Sequence, residues 1–288
     1  TFGSESHKDI PIILISTREN ITNYYKDFSS KDLFDFSTPK DVFLESLEKY
    51  RNRLKSFISA YEFIKANKKG IDVDLASVLG ISGDFLKSLD YRIAFNLEKD
   101  MISGDVFAYS NFIKQNVISS IGLLIGEDVL SARLGISKDS ANWEDLKRIL
   151  AEYKYKGVLS DSYNRWWAKQ INKWFLQATN QSISLRRFEA ERRCELIKGA
   201  TNLEGLIPLT KIDERGYTAK SSKFWTICKY TKRPIDYIDG FELYERELFP
   251  WQETEYISFL GISSKRYFPL VKPNDKNRIS EIEQQLRR

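Results

Sequence analysis

Apolar positions along this chain recur mostly at helical spacing. The clearest run is Phe43, Leu47, Tyr50, Leu54, Phe57, Tyr61 and Ile64, separated alternately by four and three residues. That alternation predicts a helix of about seven turns with a single apolar seam. Thr38-Pro39 before it offers a cap and a first-turn proline, while Lys68, Lys69 and Gly70 offer the cations and glycine that end helices. Such a seam serves either a helical hairpin within the chain or an oligomer contact. Upstream, Ile10–Ile15 is a short apolar strand candidate. Downstream, Asn142 is placed to cap a helix from Trp143 to about Tyr155 that turns Leu146, Ile149, Leu150 and Tyr153 inward and stops at Gly157. A helix over 162–178 carries an apolar stripe, Trp167, Ile171 and Trp174, and a basic one, Arg165, Lys169 and Lys173. Ser184 is placed to cap a third helix, to about Lys198.

The last eighty or so residues change pattern. Ile235 to Leu243 places apolar residues on both sides of Asp239-Gly240, a two-residue hairpin signal. Phe224–Tyr230 reads as another strand, and 280–288 as a short terminal helix. Proline placement agrees with the change: no proline occurs from Lys40 to Ile207, and five of the seven lie beyond it. The expected fold is mainly α, a helical body followed by a small α+β or irregular C-terminal module. Its expected divisions are 1–115, a helical region with the long helix, 116–205, a basic helical region rich in tryptophan, and 206–288, an aromatic module.

One segment resembles the helix-turn-helix signature. In 74–89, Ala76 is the small residue at a helix crossing, Gly80 takes the turn, and Ser82 caps a second helix anchored by Leu86 and Leu89. That second helix balances Lys87 and Arg92 against Asp84 and Asp90, an unfavourable charge for reading DNA. The segment therefore reads either as a base reader or as a structural corner. Leu-Gly-Ile-Ser recurs at 134–137 and 260–263 without forming a repeat period.

Charge sharpens the picture. The chain of 288 residues has a net charge of +5, and residues 151–230 hold 15 Lys and Arg against 8 Asp and Glu. Lys154, Lys156, Arg165, Lys169, Lys173, Arg186, Arg187, Arg192 and Arg193 fall there, interleaved with Tyr155, Tyr163, Trp166 and Phe188. Cations for phosphates beside rings for bases are the ingredients of sequence-tolerant nucleic-acid binding. The same pattern describes a solvated helix face with Glu189, Glu191 and Glu195 as local partners, or a dock for an acidic protein surface.

The chemistry available is sparse. One histidine, His7, disfavours imidazole triads and most zinc sites. The two cysteines, Cys194 and Cys228, are too widely spaced for a metal or redox pair and fit a reducing, cytoplasmic setting. No phosphate loop or dinucleotide fingerprint occurs, and no apolar run approaches the ~20 residues that span a bilayer. Glu152-Tyr-Lys154 has the spacing of metal-dependent nucleases, with Asp139 or Asp145 as a partner, but it falls at a helix end where a strand is needed. No catalytic residue, metal or cofactor is assigned. The leading expectation is a non-enzymatic, intracellular nucleic-acid-binding protein that adds Lys87 and Arg92 to the basic face. The alternatives are an adapter or scaffold subunit, through Phe43–Ile64 and the aromatic segment 249–259, and, further behind, a metal-dependent nuclease.

Overall fold

The computed structural model describes residues 9–24, 34–69, 72–101, 106–214, 216–244, 248–262 and 268–286. His7, Gly70, Ser263 and the last two residues of the expected terminal helix lie outside them. Helix predominates, at about 52%, and the strands are few and short. The chain forms two compact units, one of residues 1–119 with 155–164, the other of 120–154 with 165–288.

The first unit contains β1 (Ile13–Ser16), α1 (Arg18–Tyr24), β2 (Phe36–Pro39), α2 (Lys40–Glu45), α3 (Leu47–Asn67), β3 (Lys68–Lys69) and β4 (Asp72–Val73). After these come α4 (Leu75–Leu79), α5 (Gly83–Lys87), α6 (Tyr91–Met101) and α7 (Val106–Phe112). A π-helical turn, Ile113–Ile118, continues α7. The long helix expected from Thr38 is divided. Thr38-Pro39 belongs to β2, which pairs in parallel with β1, and Ser46 at φ −135° separates α2 from α3. Along α3 only Ser56, Phe57, Ala60, Tyr61 and Ile64 are buried, so the seam packs within the chain over its later turns, against α7. Its earlier positions are open: Leu44 and Leu47 are exposed.

A buried polar knot sits beside that packing. The Asp35 carboxylate accepts from the Tyr61 hydroxyl at 2.9 and 3.0 Å and from the Ile12 N–H at 2.8 Å. Lys114, on the π-helical turn and itself buried, donates to the Asp35 carbonyl. Burial is the largest influence on the Asp35 carboxyl and raises it above its ordinary 3.8, against the pull of those donors.

The 74–89 segment forms two five-residue helices. Asp74 accepts from the Ser77 N–H and Ser82 from the Phe85 N–H, each at 3.2 Å, which caps α4 and α5 as the side-chain types require. Gly80 joins them at φ 63°, and a Cβ there would lie 2.5 Å from the Lys156 carbonyl carbon. Residues 155–164 close over this turn, with the Val158 N–H bonded to the Val78 carbonyl.

The second unit opens with β5 (Leu124–Ile125), α8 (Glu127–Leu134), α9 (Trp143–Ile149), β6 (Trp166–Trp167), α10 (Ala168–Ala178) and α11 (Ala190–Thr201). It continues with β7 (Asp213–Glu214), β8 (Tyr217–Thr218), β9 (Thr226–Ile227), β10 (Pro234–Ile235), β11 (Gly240–Glu242), β12 (Tyr256–Ser258), α12 (Phe259–Ile262) and α13 (Pro273–Leu286). One apolar cluster draws on 125–206 and includes Trp143, Trp166, Trp174 and Phe175, and a second draws on 212–279 around Phe241 and Ile257.

Three expected helices are shorter than their patterns. The helix over 162–178 starts at Ala168, because Trp166-Trp167 pair with Ile125 and Leu124 as a strand. The helix expected from Ser184 is a 3₁₀ turn at 185–187, extended backbone at Phe188, and then α11. The one expected over 143–155 becomes 3₁₀ at Leu150–Tyr153, and Ile149 is exposed instead of inward. The hairpin at Asp239-Gly240 does not form. β10 pairs with β9 and β11 with β12, because the Asp239 carboxylate is buried and accepts from the Lys220 and Ser221 N–H groups. The segment 249–259 is largely packed in: Trp251 and Ile257 are buried, and Phe249 stacks on Trp251 at 4.7 Å.

Candidate functional site

Within the second unit a cleft of about 220 Å³ is lined by Arg133, Lys169, Ile171, Asn172, Trp225 and Glu253, among others. Six separate stretches of chain supply its walls. Arg133 comes from α8, whose six residues from Val129 to Leu134 are all buried. The helix ends at Gly135, φ 72°, where a Cβ would meet the Ala190 Cα at 2.7 Å. Lys169 and Asn172 stand on one face of α10, three residues apart. Ser184, at the head of the 3₁₀ turn, donates to the Asn172 Oδ1 at 3.2 Å and ties that turn to α10. Trp225 precedes β9 and is registered by its N–H on the Ile235 carbonyl. Glu253 is held by its N–H on the Ile121 carbonyl at 2.8 Å, next to a backbone bridge between Gly122 and Gln252.

The polar groups of the cleft form a connected set. Arg133 Nη2 donates to Glu253 Oε1 at 2.7 Å, and the Tyr237 hydroxyl donates to Glu253 Oε2 at 2.9 Å. The Arg133 guanidinium lies over the Trp225 indole, 4.7 Å from its centroid. Arg186 lies 5.6 Å from the same indole and 4.6 Å from the Tyr237 ring, which stacks on Tyr256. Burial, then the Glu253 carboxylate, push the Tyr237 phenol up, so it remains a donor across the physiological range. Arg133 is 5% exposed, and its Nε–H has no hydrogen-bond acceptor. That Nε–H is also closed to solvent, so it is an unsatisfied buried donor and not an edge open to the cleft.

Of the basic residues singled out by the sequence, Lys169 lines the cleft, Arg186 lies beside its indole, and Lys173 is exposed one turn further along α10. Arg187 is exposed on the same 3₁₀ turn. Arg165 is half-buried ahead of β6, off the helix that was to align it with Lys169. Lys154 is half-buried with its ammonium 5.2 Å from the Trp166 centroid. Arg192 is exposed and pairs with Glu195 at 3.0 Å. Arg193 has no surface to offer a phosphate. It is fully buried, donates to the carbonyls of Ala132, Arg133 and Phe224, and is held by burial down at about 10. Lys156, Lys87 and Arg92 belong to the first unit. Lys156 is exposed, while Lys87 pairs with Asp84 and Arg92 with Asp90.

Arg133, Trp225, Tyr237 and Glu253 escaped the sequence reading. They are separated by up to 120 residues and share no periodicity, and only Arg133, set among Val129, Leu130, Ala132 and Leu134, pointed toward the cleft. The nuclease pair is not assembled on a strand: Glu152 is exposed on a 3₁₀ turn and Lys154 turns to Trp166. Among the described residues no cluster of His, Cys, Asp and Glu is arranged to hold a metal ion, and no helix is long and apolar enough to cross a membrane. Compared with family models, curated proteins and solved structures, the chain matches none.

Proposed function

We propose that this protein binds nucleic acid without chemically altering it, through the α10 face and the cleft beside it. The observation that carries this reading is Lys169 and the Trp225 indole lining one concave site, with Arg186 5.6 Å from that indole and Lys173 exposed one turn further along α10. Cations spaced along a helix neutralise successive phosphates, and an aromatic and guanidinium wall accepts an unstacked base. The helix-turn-helix-like corner of the first unit fits a packing role better than base reading, since Lys87 and Arg92 are each paired with an aspartate. The segment 206–288 is read as a small module that supplies Trp225 and Glu253 to the site.

The test is fluorescence anisotropy with single-stranded oligonucleotides at about 50 mM salt, where phosphate contacts are strongest. The variant Lys169→Glu/Lys173→Glu/Arg186→Glu is expected to lose affinity for every sequence alike. Each lost contact flattens the plot of log K against log salt by roughly 0.7. No binding by the wild type overturns the proposal. A second reading, an adapter subunit, is favoured by the exposed rings of Tyr91 and Phe95 on α6. It replaces the first if a protein co-purifies with the wild type, no nucleic acid does, and Tyr91→Ser/Phe95→Ser releases that protein.

A further inference from the structure

The cleft is too small for a drug-sized ligand, whose sites run to roughly 300 Å³ and above, but its size suits one flat heterocycle. Its wall presents a donor next to an acceptor: the Arg133 guanidinium and the Glu253 carboxylate bonded to it at 2.7 Å. A carboxylate has about four lone-pair positions. Arg133 and Tyr237 occupy one on each oxygen, which leaves Glu253 able to accept two more N–H groups.

Resting on the proposed nucleic-acid reading, we infer that the cleft is a guanine-binding site. Guanine presents a carbonyl oxygen, a ring N–H and an exocyclic amine in a row along one edge. The carbonyl meets the guanidinium, and the two N–H groups meet the carboxylate. Adenine has no carbonyl on that edge, cytosine offers the carboxylate a single amine, and uracil a single ring N–H. Guanine therefore satisfies the most groups, and a polar group left unpaired in such a site is penalised. Asn172 and Lys169, on the α10 wall, stand beside the bound base, where the amide reaches its remaining polar atoms and the ammonium the adjoining phosphate.

The experiment uses the full chain and oligothymidylates carrying one central guanine, adenine, cytosine, hypoxanthine or abasic site. The guanine strand is expected to bind roughly five- to a hundredfold more tightly than the adenine, cytosine and abasic strands, the range of a good bidentate contact. Hypoxanthine, which lacks the exocyclic amine, falls between. Glu253→Gln, checked for folding by circular dichroism, is expected to abolish the preference for guanine over adenine. If that variant does not fold, the strand series on the wild type decides alone. Equal affinity for all five strands refutes the guanine site and leaves the nucleic-acid reading standing. Titration with guanosine monophosphate separates the two ideas in the other direction. Saturable binding of it in preference to the adenosine counterpart, without oligonucleotide binding, keeps the guanine site and removes the nucleic-acid reading. No binding of any of these probes removes both.

Discussion

Neighbouring arginines of one sequence run have opposite fates, and the difference is measurable. Arg193 bonds three backbone carbonyls in a fully buried position, whereas Arg192 is exposed and pairs with Glu195 across one helical turn. Arg193→Ala strands those carbonyls and opens a cavity, so chemical denaturation is expected to show a loss above about 3 kcal/mol. Arg192→Ala is expected to change stability by less than about 0.5 kcal/mol. Gly122 carries a sharper constraint. Its φ is 147°, and a Cβ would sit 2.0 Å from the Trp251 carbonyl oxygen. Gly122→Ala must push apart the two backbones that position Glu253, so it is expected to lower the melting temperature and weaken ligand binding together. Asp35 makes the molecule sensitive to pH. A carboxyl raised on folding binds its proton more tightly in the native state. Its stabilising contribution is therefore complete below the ordinary value of 3.8 and is lost as pH rises through the raised one. Relative to Asp35→Asn, the wild-type melting temperature is expected to decline as pH is raised from about 4 toward neutrality. A gap that widened in favour of the wild type would mean that attraction to Lys114 outweighs burial.

At the scale of elements, α3 illustrates how far periodicity reaches. The spacing of Phe57, Tyr61 and Ile64 identified the buried face correctly, since side chains three and four apart share one side of a helix. It did not reveal the break at Ser46, nor the pairing that takes Thr38-Pro39 into β2, which depends on a strand 23 residues earlier. Ile64→Ala, at a site with no exposure, is expected to cost about 2–5 kcal/mol in denaturant unfolding. Leu47→Ala, on the exposed first turn of the same helix, is expected to leave stability within about 0.5 kcal/mol. The helix α10 follows the same logic. Its apolar stripe at Ile171 and Trp174 is buried as the pattern requires, while its start is set by Trp166-Trp167 pairing with β5.

For the whole molecule, the sparse inventory of reactive groups is the main constraint on activity. Neither Glu152 nor Lys154 is presented toward a shared metal position. Incubation of labelled DNA or RNA with the protein and Mg²⁺ or Mn²⁺ is therefore expected to yield no product above background. Cleavage that disappears in Glu152→Gln would reverse the non-enzymatic reading. The charge excess over 151–230, by contrast, is only partly surface. Arg193 is consumed inside, Arg192 is paired, and Lys154 is half-buried, so fewer cations face a polyanion than composition implies.

Composition and periodicity alone determined that this protein is mainly helical, which face of α3 turns inward, and that cations and rings are concentrated in its middle, because those properties are local along the chain. Helix ends, strand partners and the cleft were decided by tertiary structure. Asp239 turned from hairpin residue to loop anchor because two distant N–H groups needed an acceptor. Arg133 and Glu253 came together because burial forces an ion to find its partner, even 120 residues away along the chain.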